Sequence, residues 1–200
     1  MRLITSVRVP KKASQAILAL VLVLALLVVA AFFFSRAGVI PGVGGGAPAS
    51  TTASDIAEFT VAGGSMEPAL ASGQIIRVDT SAYSRAPIRA GDIVLIEQPG
   101  GNEHLVKFIR AIPGDTLSLL EQPGGSQVLI NNEVLKNSEG EPYLLPENKR
   151  AMIGLYIRDY AGVIPEGAYL VLGNHATGST DSTVFGLVSV GRIKGRVLTE

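Results

Sequence analysis

Three kinds of side chain in this sequence can attack a carbonyl or carry the proton that such an attack releases. They are the Ser65 hydroxyl in "GGSMEPAL", the Lys107 amine in "HLVKFIRAI", and the imidazoles of His104 and His175, the only two histidines. There is no cysteine, so thiol chemistry and disulfide bracing are excluded. Ser65 has two readings. Serine is a favoured helix cap, Pro68 is tolerated in a first turn, and Gly73 would end a short helix. A serine at a helix entrance also has free backbone N–H groups beside it, and these can donate to an oxyanion. Gly63 and Gly64 would let a substrate backbone pass close by. The G-x-S-x-G elbow is absent, which counts against an α/β-hydrolase.

A serine nucleophile needs a base. His104 and His175 both remain open as the base of a histidine triad. Lys107 is the alternative. Strand alternation in "HLVKFIR" puts Leu105, Lys107 and Ile109 on one side and Val106, Phe108 and Arg110 on the other. If the aliphatic side faces inward, burial lowers the pKa of the Lys107 ammonium and yields a usable neutral amine. If it faces outward, Lys107 is a strand lysine that snorkels to solvent.

The elements around these residues read as strands. "QIIRVDT", "DIVLIEQ", "HLVKFIRAI", "TLSLLEQ", "SQVLINNEVL", "GAYLVLG" and "GLVSVGRIKGRVL" are short Val/Ile/Leu-rich runs closed by Gly, Pro or Asn. Asn131-Asn132 stands where a hairpin turn belongs. No sustained helical period appears past residue 54, and residues 136 to 166 are less regular. The expected fold class is mainly β, an antiparallel β-barrel or sandwich-like domain over residues 55–200.

Ahead of it, residues 1–12 carry Arg2, Arg8, Lys11 and Lys12 and no acid. Every residue from Ala16 to Phe34 is apolar. Nineteen residues at about 1.5 Å each span roughly 28 Å, the thickness of a bilayer's hydrocarbon core. The run exceeds the apolar core of a cleavable export signal. It predicts a transmembrane anchor over 13–35, with the basic segment in the cytoplasm and the β domain on the outer face of the cell membrane. Residues 36–54, rich in Gly, Ala, Pro, Ser and Thr, read as a flexible linker. Lys+Arg and Asp+Glu are both 17, so nothing favours nucleic acid as a partner. Two histidines without a carboxylate cluster give no zinc pattern, and neither a metal nor a cofactor is expected.

Taken together, the segments resemble the bacterial type I signal peptidases, membrane-bound serine proteases with a Ser-Lys dyad. "GGSMEPAL" looks like the nucleophile box, "GDIVLIEQP" like the strand segment after it, and "HLVKFIRAIPGDTLSL" like the base-bearing box. "IPEGAYLVLGNHATGSTDSTVFGLVSVGRIKGRV" resembles the carboxy-terminal box, and "INNEVLKNSEGEPYL" the region between. The likeness implies Ser65 as nucleophile and Lys107 as base. It implies that the backbone N–H of Ser65 binds the oxyanion, that Ser179 helps orient the lysine, and that Asp181 supports the site. It further implies preproteins bearing signal peptides as substrates, cut after small residues beside the lipid bilayer. The chain departs from the pattern in several places. Asn174, His175 and Ala176 stand where Asp, Asn and Arg are usual, Thr183 and Phe108 replace arginines, and Gly63 offers no side-chain donor. Two alternatives share these features: a Ser-Lys peptidase dedicated to one maturation substrate, and an inactive membrane-tethered domain that binds peptides.

Overall fold

The computed structural model describes residues 55–101 and 103–199. The basic segment, the anchor and the linker expected from the sequence lie outside the described residues. Among the described residues no helix is long and apolar enough to cross a membrane.

The elements in chain order begin with β1 (Ile56–Thr60), β2 (Ile75–Asp79), α1 (Ala82–Arg85), β3 (Ile93–Glu97) and β4 (His104–Ala111). There follow β5 (Leu117–Gln122), β6 (Gly125–Ile130), β7 (Glu133–Val134), β8 (Leu144–Leu145) and α2 (Arg150–Asp159). The chain closes with β9 (Ala168–Leu172), α3 (Ser182–Phe185), β10 (Val188–Ser189) and β11 (Ile193–Leu198). Each apolar run read as a strand forms one. At the β6–β7 hairpin Asn131 and Asn132 both take positive φ, 53° and 66°, as a two-residue turn of the primed type requires.

The strands form two antiparallel sheets. One has seven strands in the order β1-β2-β11-β3-β4-β9-β10, so the carboxy-terminal strand is inserted between β2 and β3. The other has β6 at its centre, paired with β5 on one side and with β7 and β8. The large sheet ends on β1 and β10, which do not pair with each other, so it is open rather than a closed barrel. The two sheets share a core cluster. Ala111, Leu170 and Leu172 of the large sheet meet Leu117 and Val128 of the small one, with Ile153 of α2. Burial of these aliphatic side chains is the main force joining the sheets, at about 25 cal/mol per Å² of apolar surface.

The short helices α1 and α3 and the strand β8 were not expected from the sequence, and two further elements differ from it more instructively. α2 is a ten-residue helix where no helix was expected. Only Ile153 is fully buried, Ile157 packs partly, and Gly154 dilutes the periodic signal, so tertiary packing rather than pattern holds it. The Tyr156 hydroxyl accepts the Leu187 N–H and so ties α2 to the segment after α3. β1 was also missed, because its half-polar "IAEFT" lacks a clean alternation and gains its shape by pairing with β2.

Candidate active site

Ser65 sits on the loop between β1 and β2. Val61 N–H donates to Gln74 O and Gly73 N–H to Val61 O, closing the base of that loop. Met66 and Leu70 are buried in a cluster with Ile76, Val78, Leu95 and Phe108, which fastens the loop to one face of the large sheet. The expected helix from Ser65 toward Gly73 is instead a run of turns. Pro68 has no N–H to reach the Gly64 carbonyl, and the Glu67 N–H takes that carbonyl at 3.1 Å. Ser65 is therefore not a helix cap. Its side chain is half-buried, and no protein acceptor among the described residues takes its N–H.

Lys107 comes from the middle of β4, opposite Val94 of β3. On its other edge β4 meets β9 only from Phe108 onward, where Phe108 pairs with Leu172. The stretch from His104 to Lys107 is thus free of a second strand, and the lysine turns toward the serine loop. Leu105 and Ile109 pack in one apolar cluster and Val106 and Phe108 in another, so both faces of the strand around Lys107 are dry. Lys107 is 3% exposed, and its Nζ lies 2.9 Å from Ser65 Oγ and 2.9 Å from the Val106 carbonyl. Burial holds the ammonium pKa below the ordinary lysine value; the Asp181 charge opposes that lowering and the Lys149 charge adds to it.

Neither histidine bonds to Ser65. His104 lies near the Phe59 ring, 6.0 Å between centroids, and His175 lines a separate small cavity with Asn137 and Tyr143. The dyad opens on a cavity of about 320 Å³ walled by Phe59, Val61, Leu95 and Val106. Among the described residues no group of three metal-ligating side chains is present.

The loop after β9 closes the site. Asn174, fully buried, is a clamp that the sequence did not reveal. Its N–H donates to Ser65 O at 2.7 Å, and its Nδ2 donates to Glu67 O at 2.7 Å and to Ser138 Oγ at 2.9 Å. Its Oδ1 accepts the Ser138 N–H at 2.9 Å. Nothing local to Asn174 signals this, since its partners are far along the chain. Gly173 is needed for close approach: a Cβ there would stand 2.5 Å from Ser179 Oγ and 2.8 Å from the Ser65 carbonyl. Ser179 is 3% exposed, and its Oγ has no hydrogen-bond partner among the described residues. Lys149 donates to the Ser179 carbonyl. Asp181 is fully buried; its Oδ2 accepts the Gly173 N–H at 3.0 Å. Its Oδ1 accepts the Thr183 N–H at 3.0 Å and the Thr183 hydroxyl at 2.7 Å. The carboxylate therefore lives on neutral donors, and Thr183, a departure from the expected arginine, supplies two of them.

A buried lysine in contact with a serine hydroxyl, beside an open cleft, is the arrangement of a peptidase that works without histidine. The chain belongs to the signal peptidase family, peptidase S26, whose pattern matches residues 46–199. It is an enzyme of the signal peptidase I type. Signal peptidase I of Bacillus caldolyticus is 30% identical over 149 residues, 70% of this chain and 75% of that protein. Signal peptidase IB of Staphylococcus aureus is 29% identical over 154 residues, 71% of this chain and 75% of that one. A crystal structure of a signal peptidase I from Enterococcus faecalis aligns at 24% identity and a TM-score of 0.42, over 57% of this chain and 98% of that one.

Proposed function

We propose that this signal peptidase cuts its substrates with a Ser65-Lys107 dyad, through an acyl-enzyme. The neutral Lys107 amine accepts the Ser65 proton as Oγ bonds to the scissile carbonyl carbon. The Ser65 N–H, which has no acceptor among the described residues, donates to the oxyanion. Lys107, now an ammonium, gives its proton to the departing amine as the peptide C–N bond breaks. The same amine then takes a proton from water, which attacks the ester and releases Ser65. Ser179 is the neighbour that steadies the amine, and Asp181 holds Gly173 and Thr183 in place around it. The observation that carries this reading is a buried amine 2.9 Å from the hydroxyl it must deprotonate.

The substrates are preproteins bearing amino-terminal signal peptides, and the wall of Phe59, Val61, Leu95 and Val106 suits small apolar side chains before the cut. Residues 13–35 anchor the enzyme in the cell membrane, 1–12 stay in the cytoplasm, and 36–54 tether the peptidase domain at the outer face of the bilayer. The test is cleavage of several unrelated preproteins in detergent by the wild type, Ser65→Ala and Lys107→Ala. Cleavage of all by the wild type and none by either variant is expected. Activity surviving in a variant would reject the dyad, and cleavage of a single preprotein would point to a dedicated maturation enzyme.

A further inference from the structure

Lys149 takes no part in the chemistry above, yet its ammonium reaches the site. It ends the short 3₁₀ turn Glu147–Lys149 that leads into α2, and donates to the carbonyl of Ser179. It is half-buried and makes no ion pair among the described residues. Around Lys107, β3 contributes only apolar Val94. β4 itself contributes His104 at the cavity, with Glu103 just before it. Arg110 of β4 is directed elsewhere, over the Phe108 ring at 4.1 Å. On the serine loop the Glu67 carboxylate turns back over Gly64 to the Ser72 N–H. The loop after β9 brings Asp181. Beyond burial, Asp181 and Lys149 are the charges that act on Lys107, and they act in opposite directions. Ala176 and Thr183 on that loop are uncharged.

We propose that Lys149 is a positioning residue for the cleavage reaction. Its ammonium, tied to the Ser179 carbonyl, pins the loop that carries Ser179 and Asp181 and supplies the fixed positive charge that balances Asp181 beside Lys107. A buried carboxylate alone would favour the protonated, idle form of the base; a cation held nearby by a backbone carbonyl offsets it without competing for the Ser65 hydroxyl. This rests on Lys107 being the base.

The test is the pH dependence of kcat/KM on one preprotein for the full-length enzyme in detergent. Activity needs the neutral amine, so it rises with pH through the Lys107 pKa. Removing the Lys149 charge raises that pKa and moves the rising limb to higher pH. Lys149→Met is expected to shift the limb up by about one pH unit, a tenfold loss near neutrality that is recovered on the alkaline plateau. Lys149→Arg keeps the limb near its wild-type position. Lys149→Gln, which keeps a donor for Ser179 O without the charge, shifts it as Met does, and serves if the Met variant does not fold. An unmoved limb in the uncharged variants overturns the proposal, whether the rate is unchanged or falls equally at every pH. Lys107→Ala, run alongside, must be inactive; if it cleaves, the dyad itself has failed, not the role of Lys149.

Discussion

Asp181 and Ser179 stand two residues apart on one loop, both buried, under opposite conditions. The Asp181 oxygens accept from Gly173 N–H, Thr183 N–H and the Thr183 hydroxyl, while the Ser179 Oγ has no partner among the described residues. The same contrast separates Asn174, whose carboxamide is fully engaged, from Lys107, an amine kept from water with only two acceptors. Buried polar groups that are saturated hold structure, and removing them leaves orphans on the other side. Groups left short of partners in a dry site add little to stability and are available to a substrate or a moving proton.

Substitutions at Lys107, Asn174 and Ser179 test the contrast between saturated and uncommitted polar groups. The largest effect is expected at the dyad. Lys107→Met should lower cleavage by about a thousandfold or more, to the residue left by binding and the oxyanion donor. It should also raise Tm at neutral pH. The sign follows from the depressed pKa: the unfolded chain binds the lysine proton more readily than the folded one. Wild-type stability is therefore lost as pH falls from the ordinary lysine range through the depressed value, and it stays low below it. The advantage of Met is full below the depressed pKa and fades as pH rises from there into the lysine range. A Lys107→Met variant with an unchanged or lower Tm would contradict the contrast.

Next comes Asn174→Ala, expected to lose about 1–3 kcal/mol of stability in urea unfolding, because Glu67 O and the Ser138 groups lose their partners. Its cleavage rate should fall as well, through the Ser65 loop. Asn174→Asp should not restore it, since a carboxylate cannot donate to the Glu67 carbonyl. Ser179→Ala is the reverse case. Stability should stay within about 0.5 kcal/mol of wild type, with cleavage down about tenfold. If cleavage is also unchanged, Ser179 does not steady the amine. The smallest effect is expected at Lys194→Ala, which removes a lysine whose Nζ lies 2.7 Å from Glu97 on the surface; neither Tm nor rate should move measurably.

How much of this could be read from the sequence follows from the range of each interaction. The strands were legible because alternation and turn residues act within a few positions, as at "DIVLIEQ" and Asn131-Asn132. The pairing of Lys107 with Ser65 came from a resemblance alone, since alternation left the lysine free to face either way and the two lie 42 positions apart. Asn174 was visible only as a departure from a pattern, since its bond to Glu67 O spans 107 positions and leaves no local trace. Likewise Lys149 reads as an ordinary polar residue until the fold sets it against Ser179. The helix α2 was hidden by the weakness of its own period, and β1 by its dependence on a partner strand.

Gly173 has one further implication. The Ser65 carbonyl and the Ser179 side chain both close on its α-hydrogen, and a single added methyl would be a wedge driven between them. The candidate site is thus tightly fitted from within. Changes in what the cleft accepts are more easily made on its outer wall, where the exposed Thr60 and Ala62 can vary without disturbing the core cluster behind them.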